Sequence, residues 1–324
     1  MNFGEHTTAA EVASAFKERI LGKHFVVTGG NSGIGKETAR VLANEGAVVT
    51  ICCRTISKGE SVKAEILKES PTSQIQIVQL DLNSLKSVRE CAATIIGLKL
   101  PLNVLINNAG VMACPKFITE DGLESQFQTN HISPYYLITL LIPTLHASGT
   151  RENPSRVVNV SSAANILFAP AIGIDFDDIS AAKKSYNAWS RYGQSKLALI
   201  SLTSELQNQY AGKLNVAFIS LHPGAIPGSE LSRHMGLKNT FELALSTNYG
   251  KIKPSGVMTR KSIPEGASTT LVCALDPNVE FGKYYSDCRV SDQVHPFAFN
   301  EEFVARVKTL SEKIISEANT SGTF

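Results

Sequence analysis

The chain has 324 residues, 43% of them hydrophobic and 19% charged, with a formal net charge of +2. That balance supports a sizeable buried core, and the absence of any basic tract argues against nucleic acid or an anionic membrane as a partner. No apolar run approaches the roughly 18 residues that a membrane-spanning helix needs, and Glu5, Glu11, Lys17, Glu18 and Arg19 stand where a signal peptide would be apolar, so a cytoplasmic protein with no integral membrane segment is expected.

Residues 1–22 read as an arm or short helix laid on the rest of the chain. From Phe25 to about Asp287, apolar strand-like runs alternate with helical patterns. Strands are expected at 24–29, 47–53, 75–80, 103–107, 156–161, 214–220 and 281–286. Helices are expected at 34–45, 57–69, 84–96, 123–146, 190–211 and 265–275. Such alternation implies right-handed βαβ units. The fold class is therefore α/β, a Rossmann-type doubly wound parallel sheet of about seven strands with helices on both faces, in one domain over 23–290. Residues 222–263 break the rhythm with Gly, Pro and mixed polarity, as a substrate loop beyond the strand ends would. In 291–324, Phe303, Val304, Val307, Leu310 and Ile314 recur at helical spacing, which suits a docking helix and a tail.

The first strand, around Phe25–Val27, runs into Gly29, Gly30, Gly33 and Gly35, and then into a helix with Ile34, Thr38, Val41 and Leu42 on one stripe. A strand, a glycine-rich turn and a helix in that order point backbone amides and a positive helix end at one spot, which suits a pyrophosphate. Gly29, Asn31, Ser32, Gly33, Ile34 and Gly35 are the residues expected to cradle it.

The second strand should end beside the adenosine ribose, where NAD-binding sites place an Asp or Glu for the 2′-hydroxyl, about 20 residues past the glycines. Cys53 occupies that position, Arg54 is next, and Lys58 lies one turn on. Without the carboxylate a 2′-phosphate is not repelled, and an arginine can pair with it bidentately. NADP(H) is the expected cofactor. Asp81 and Leu82 close the third strand; Asp81 is placed to accept from the adenine amino group or to cap the helix beginning near Ser84.

Six cysteines sit at 52, 53, 91, 114, 273 and 288, with no spacing suited to a metal site. Cys52 and Cys53, adjacent in a strand, should face opposite ways and stay reduced.

Three further stretches carry chemistry. Asn107-Asn108-Ala109-Gly110 ends the fourth strand, where two amides can hold neighbouring backbone and the cofactor. Val157–Ser162 is a buried strand that delivers the Ser161 and Ser162 hydroxyls at its carboxyl end. Tyr192-Gly193-Gln194-Ser195-Lys196 falls in a helix, with Tyr192 and Lys196 on one face. A phenol titrates near 10, too high for proton exchange at neutral pH, unless a neighbouring ammonium lowers it. A serine hydroxyl beside it would polarise a carbonyl oxygen.

Together, Thr28-Gly29-x-x-x-Gly33-x-Gly35, Asn-Asn-Ala-Gly, the Ser-Ser strand end and Tyr-x-x-x-Lys resemble the short-chain dehydrogenase/reductase family over about residues 22–290. The resemblance implies Tyr192 as the catalytic acid/base, Lys196 as the group that lowers its pKa and binds the nicotinamide ribose, and Ser162, with Ser161 as fallback, as the polarising hydroxyl. It implies that Asn130 holds a water in the proton relay, and that Asn108, Ala109, Gly110, Pro223, Gly224 and Ile226 contact the cofactor. The phrases Gly-Gly-Asn-Ser-Gly-Ile-Gly-Lys-Glu-Thr-Ala, Cys-Cys-Arg and Leu-His-Pro-Gly are similar to the retinol dehydrogenase, WW-domain oxidoreductase and Tic32-like subgroup. Two features depart from the pattern. Gly228 stands where the family has a threonine for the nicotinamide carboxamide, Ser229 being the nearest hydroxyl to replace it, and the N-terminal anchor of membrane-bound retinol dehydrogenases is not expected here.

The resemblance thus implies an NADP(H)-dependent oxidoreductase interconverting a lipophilic aldehyde or ketone and its alcohol, acting as a homodimer or homotetramer on a small-molecule substrate. An NADP(H)-sensing regulatory protein and a pathway-specific biosynthetic ketoreductase are the alternatives. His131 and His222 flank the site and read as structural, Asp175, Asp177 and Asp178 as a solvated loop, and Trp189 and Tyr186 as pocket lining or helix packing.

Overall fold

Continuous β-branched and aliphatic runs such as Val48–Cys53 and Val216–His222 can be satisfied only between two apolar layers. They form the centre of the computed structural model, which describes residues 2–227, 231 and 260–320. Ser229 and most of the 222–263 loop lie outside the described residues. The strands are β1 (His24–Thr28), β2 (Val48–Cys53), β3 (Gln74–Gln79), β4 (Val104–Asn107), β5 (Ser155–Val160), β6 (Val216–His222), β7 (Tyr284–Ser286) and β8 (Arg289–Val290). They form an eight-stranded sheet in the order 3-2-1-4-5-6-7-8. All neighbours are parallel except β7 and β8, a short antiparallel hairpin at the edge. That two-residue strand is one more than expected, too short to leave a periodic signal.

Alternation along each strand builds the two faces. Phe25 and Val27 point into one apolar layer, Val26 into the other. The first layer is covered by α1 (Ala9–Ala15), α2 (Gly33–Asn44), α3 (Ile56–Glu69) and α8 (Ile263–Leu275). Thr8 and Glu11 close a capping box on α1, whose Val12 and Ala13 are fully buried in this layer. The second layer is covered by α4 (Leu85–Gly97), α5 (Ser133–Ser148), α7 (Ala188–Tyr210) and α9 (Glu301–Thr320). No helix among the described residues is long and apolar enough to cross a membrane.

The helix expected at 123–146 is broken in three. A turn at Ser125–Phe127 passes into a single π turn, Gln128–Ile132, and only then into α5. Pro134 is the cause: it has no N–H to offer the Asn130 carbonyl four residues earlier, and its ring crowds that carbonyl in a regular helix. α6 (Ala164–Leu167) lies within the stretch between β5 and α7. The carboxyl ends of β1 and β4 are adjacent while their connections leave to opposite faces, and this switch point opens the crevice where ligands bind in such sheets.

Candidate active site

A cavity of about 690 Å³ runs along the carboxyl ends of the strands. Its lining includes every residue expected to touch the cofactor, from Gly29, Asn31, Ser32, Gly33, Ile34 and Gly35 through Arg54, Lys58, Asp81 and Leu82 to Asn108, Ala109, Gly110, Pro223, Gly224 and Ile226. Ser162, Tyr192 and Lys196 line it too, whereas Asn130 stands behind Gly110.

The glycine turn fits a dinucleotide on two observations. Gly33, at φ +53°, would aim a Cβ into open space, and α2 begins at Ser32 with no side-chain cap, so its first amides stay available to an anion. Gly35 presses on the other side of the turn, where a Cβ would fall 2.5 Å from the Gly29 carbonyl oxygen and closer still to Asn108. Asn108 clamps this contact: its side-chain amide donates to the Thr28 carbonyl at 2.9 Å, and the Asn108 and Ala109 amides both donate to the Thr28 hydroxyl at 3.0 Å. The neighbouring Asn107 points elsewhere, donating to Asn159 at 2.9 Å inside the sheet.

At the adenosine end Arg54 and Lys58 are exposed and make no ion pair among the described residues. Asp81 accepts from the Asn83 backbone amide at 3.0 Å and from its side chain at 3.3 Å, while Ser84 caps α4. Cys52 packs with Cys91 in one layer, and Cys53 donates toward the Thr55 carbonyl on the opposite side. All six cysteines are free and buried.

At the other end β5 and α7 meet. Ser161 donates to the Lys196 backbone carbonyl at 2.8 Å and is spent there. Ser162 faces the cavity, as Tyr192 does, and its oxygen accepts the Ala164 amide at 3.2 Å. Lys196 donates to the Val160 carbonyl at 2.9 Å, with its Nζ 5.9 Å from the Tyr192 ring centre. The spacing predicts a lysine that lowers the phenol's pKa. Instead burial pushes Tyr192 up to about 12, only partly offset by Ser162, and the same exclusion of water takes Lys196 down to about 7. Desolvation outweighs a cation held against a carbonyl rather than against the phenol oxygen.

The Asn130 side chain is fully engaged. It accepts from the Val111 amide at 2.9 Å and donates to the Val111 carbonyl at 2.9 Å and to Ser195 at 3.0 Å. Its backbone carbonyl has Pro134 at i+4, which offers no N–H.

Both histidines beside the site have structural work. His131 is buried with Nε2 at 2.8 Å from the Ser311 hydroxyl, tying the π turn to α9. His222 accepts the Ala163 amide on Nδ1 at 3.2 Å. Asp178 departs from the expected solvated loop: it is buried, pairs with Arg191 at 3.0 Å and accepts the Lys183 amide at 2.9 Å. Trp189 lines the cavity against Phe168, their ring centres 4.9 Å apart. Tyr186 instead donates to the buried Glu124 carboxylate at 2.9 Å. Sequence reasoning missed Asn165, whose amide donates to the Ser162 carbonyl at 2.8 Å while its oxygen accepts from the His295 amide at 2.9 Å. No local signal marks a residue whose second partner lies 130 positions away.

Fold and cavity together define an α/β protein with a nucleotide-sized crevice at the switch point of its sheet. The family model for short chain dehydrogenases matches residues 23–172. The chloroplastic short-chain dehydrogenase TIC 32 B of Brassica napus is 37% identical, over 97% of this chain and 94% of that protein. Human retinol dehydrogenase 13 is 40% identical, over 92% of this chain and 86% of its own. Among solved structures, the Pseudomonas aeruginosa RhlG/NADP active-site complex superposes with a TM-score of 0.59 at 26% identity, covering 82% of this chain and 94% of that one. The chain belongs to the short-chain dehydrogenase/reductase family, in the subgroup that holds Tic32 and the retinol dehydrogenases, and is an oxidoreductase acting on CH–OH or C=O groups.

Proposed function

We propose that the protein is an NADP(H)-dependent reductase that interconverts a lipophilic aldehyde or ketone and its alcohol. The carrying observation is the Ser162–Tyr192 hydroxyl pair on the cavity wall, with Lys196 one turn along α7. The bound nicotinamide supplies or accepts the hydride at the substrate carbon. Ser162 and Tyr192 converge on the substrate oxygen; burial holds the phenol protonated at neutral pH, and a cation brought against its oxygen when the site is filled would have to lower it toward working pH for it to give that proton to a carbonyl being reduced. Lys196, oriented by Val160, has further protons to offer the nicotinamide ribose and the relay, in which Asn130 would hold the water. Met112, Phe168, Trp189, Ile226 and Leu231 make the substrate end apolar, which favours a lipophilic substrate.

Exposed Arg54 and Lys58 on the cavity wall, with Cys53 and not a carboxylate at the end of β2, support NADP(H) over NAD(H). Fluorescence titration of the purified protein with NADPH and NADH, beside an Arg54→Ala variant, tests both parts. The expected result is an NADPH preference that falls about tenfold in the variant, the size of one charge-assisted hydrogen bond of ~1.5 kcal/mol. A preference for NADH would leave the chemistry standing and overturn the cofactor choice, and no binding of either would sink the reductase reading.

A further inference from the structure

One ion pair with a buried lysine has no part in the proposed chemistry. The Lys261 side chain is wholly buried, with Nζ 2.6 Å from Asp287 Oδ1. Such a pair is weak evidence for stability, because desolvating two charges offsets most of their attraction. Its surroundings point to the cavity instead. The Lys261 backbone amide donates to the Ala225 carbonyl at 2.9 Å, and Arg260 bridges Ala225 in parallel. The lysine stem lies flat on Gly224, where a Cβ would come 2.7 Å from Lys261 Cδ and 3.0 Å from Cγ. Gly224 itself sits at φ +91°, so this close approach and this backbone both require glycine. Lys261 therefore covers the far side of the Pro223–Ile226 turn whose near side lines the cavity.

Asp287 is held as firmly. It comes directly after Ser286, the β7 residue in register with His222 on β6. Asp287 and Cys288 adopt φ +49° and +64°, two successive non-glycine residues in the left-handed region. The Cys288 amide donates to Thr269 at 3.1 Å, which fixes this turn onto α8. Backbone held in so sparsely populated a region persists where its surroundings demand it. His222 joins the same corner: its Nδ1 accepts the Ala163 amide beside Ser162, so the ring proton is on Nε2, which is buried with no hydrogen-bond partner among the described residues.

We propose that Lys261 and Asp287 are positioning residues, a clamp that sets the Pro223–Ile226 turn as the floor of the nicotinamide end of the cavity. Neither touches the reacting atoms. The clamp acts through Gly224 and Ala225, and it rests on the reading of the protein as an NADP(H) enzyme. Its effect must be confined to the nicotinamide half of the ligand, since Arg54, Lys58 and the glycine turn are built by other elements.

The test compares NADPH with adenosine 2′,5′-bisphosphate, which carries the adenosine end and no nicotinamide, on the wild type and on Lys261→Met. In that variant the buried charge is gone, and Asp287, 34% exposed, can turn to water. The expected result is unchanged binding of the bisphosphate with NADPH binding weakened about tenfold, so that the ratio of the two dissociation constants changes by that factor. A merely structural role would weaken both equally or neither, and either pattern overturns the proposal. Should Lys261→Met fail to fold, Asp287→Asn and Lys261→Arg take its place: the first should shift the ratio and the second, which keeps the pair, should restore it, and the same ratio in both would refute the clamp. A wild type that binds neither ligand overturns the underlying cofactor reading, and the clamp with it.

Discussion

Replacing Gly35 by alanine isolates the cradle from the rest of the site. On helix propensity alone, alanine should stabilise α2 by ~1 kcal/mol. Here, however, its Cβ would lie 2.5 Å from the Gly29 carbonyl oxygen and nearer still to the Asn108 amide. Backbone on one side and a bonded amide on the other leave no free rotamer to absorb the clash. Overpacking of this kind costs ~1–3 kcal/mol, and driving Asn108 off the Thr28 carbonyl leaves a buried partner unpaired for ~1–3 kcal/mol more. The net loss is ~1–5 kcal/mol, or about 2–7 °C in Tm at ~1.5 °C per kcal/mol for a chain of 324 residues. The cradle is displaced at the same time, so NADPH at about one hundred times its wild-type Kd, which adds ~2.7 kcal/mol to the native protein, should add ~1.4 kcal/mol less for each tenfold loss of affinity. Thermal unfolding of both proteins with and without NADPH reads the two effects separately. A Gly35→Ala protein that melts higher than wild type and keeps the whole NADPH-induced rise would refute the reasoning.

Tyr192→Phe removes the proton donor and leaves the ring: turnover of lipophilic aldehydes with NADPH should fall by about 10²–10⁴-fold with NADPH affinity unchanged, and near-normal turnover would place the acid elsewhere. His131 is driven by burial down to about 3, so between that value and its unfolded value near 6.5 the unfolded chain binds the extra proton, and stability is present above about pH 6.5 and lost as pH falls toward 3. Urea unfolding at pH 7.5 and pH 5 should therefore show a larger acid loss for wild type than for His131→Gln, and equal losses would contradict this account. Phe303 on α9 packs against Phe297 and Phe176 with ring centres at 5.3 and 5.6 Å, so Phe303→Ala should cost ~3 kcal/mol in urea with the m-value kept; a loss below ~1 kcal/mol would mean that α9 is not part of the cooperative core.

The parts of the site that are legible in the sequence are those that local backbone geometry dictates. Strand alternation places Phe25 and Val27 opposite Val26, and a glycine-crowded turn before an amphipathic helix has few uses other than holding an anion. The same alternation separates Ser161 from Ser162, but which of the two faces the cavity depends on where the Lys196 carbonyl sits across the layer. Periodicity also carries the helix through 123–146 where Pro134 forbids it, and the resulting π turn is what presents Asn130 to Val111 and Ser195. Spacing of i and i+4 brings Tyr192 and Lys196 together; whether the lysine lowers the phenol depends on water, and water is excluded by α6, Trp189 and Phe168, which no window around residue 192 contains in full. The clamp at Lys261 is the limiting case. A lysine near a proline and a glutamate reads as a solvated helix start, and only the return of the chain through β7 supplies the aspartate that lets its charge go inside. Residues that bind through the backbone announce themselves locally, whereas residues that position others take their meaning from a partner far along the chain.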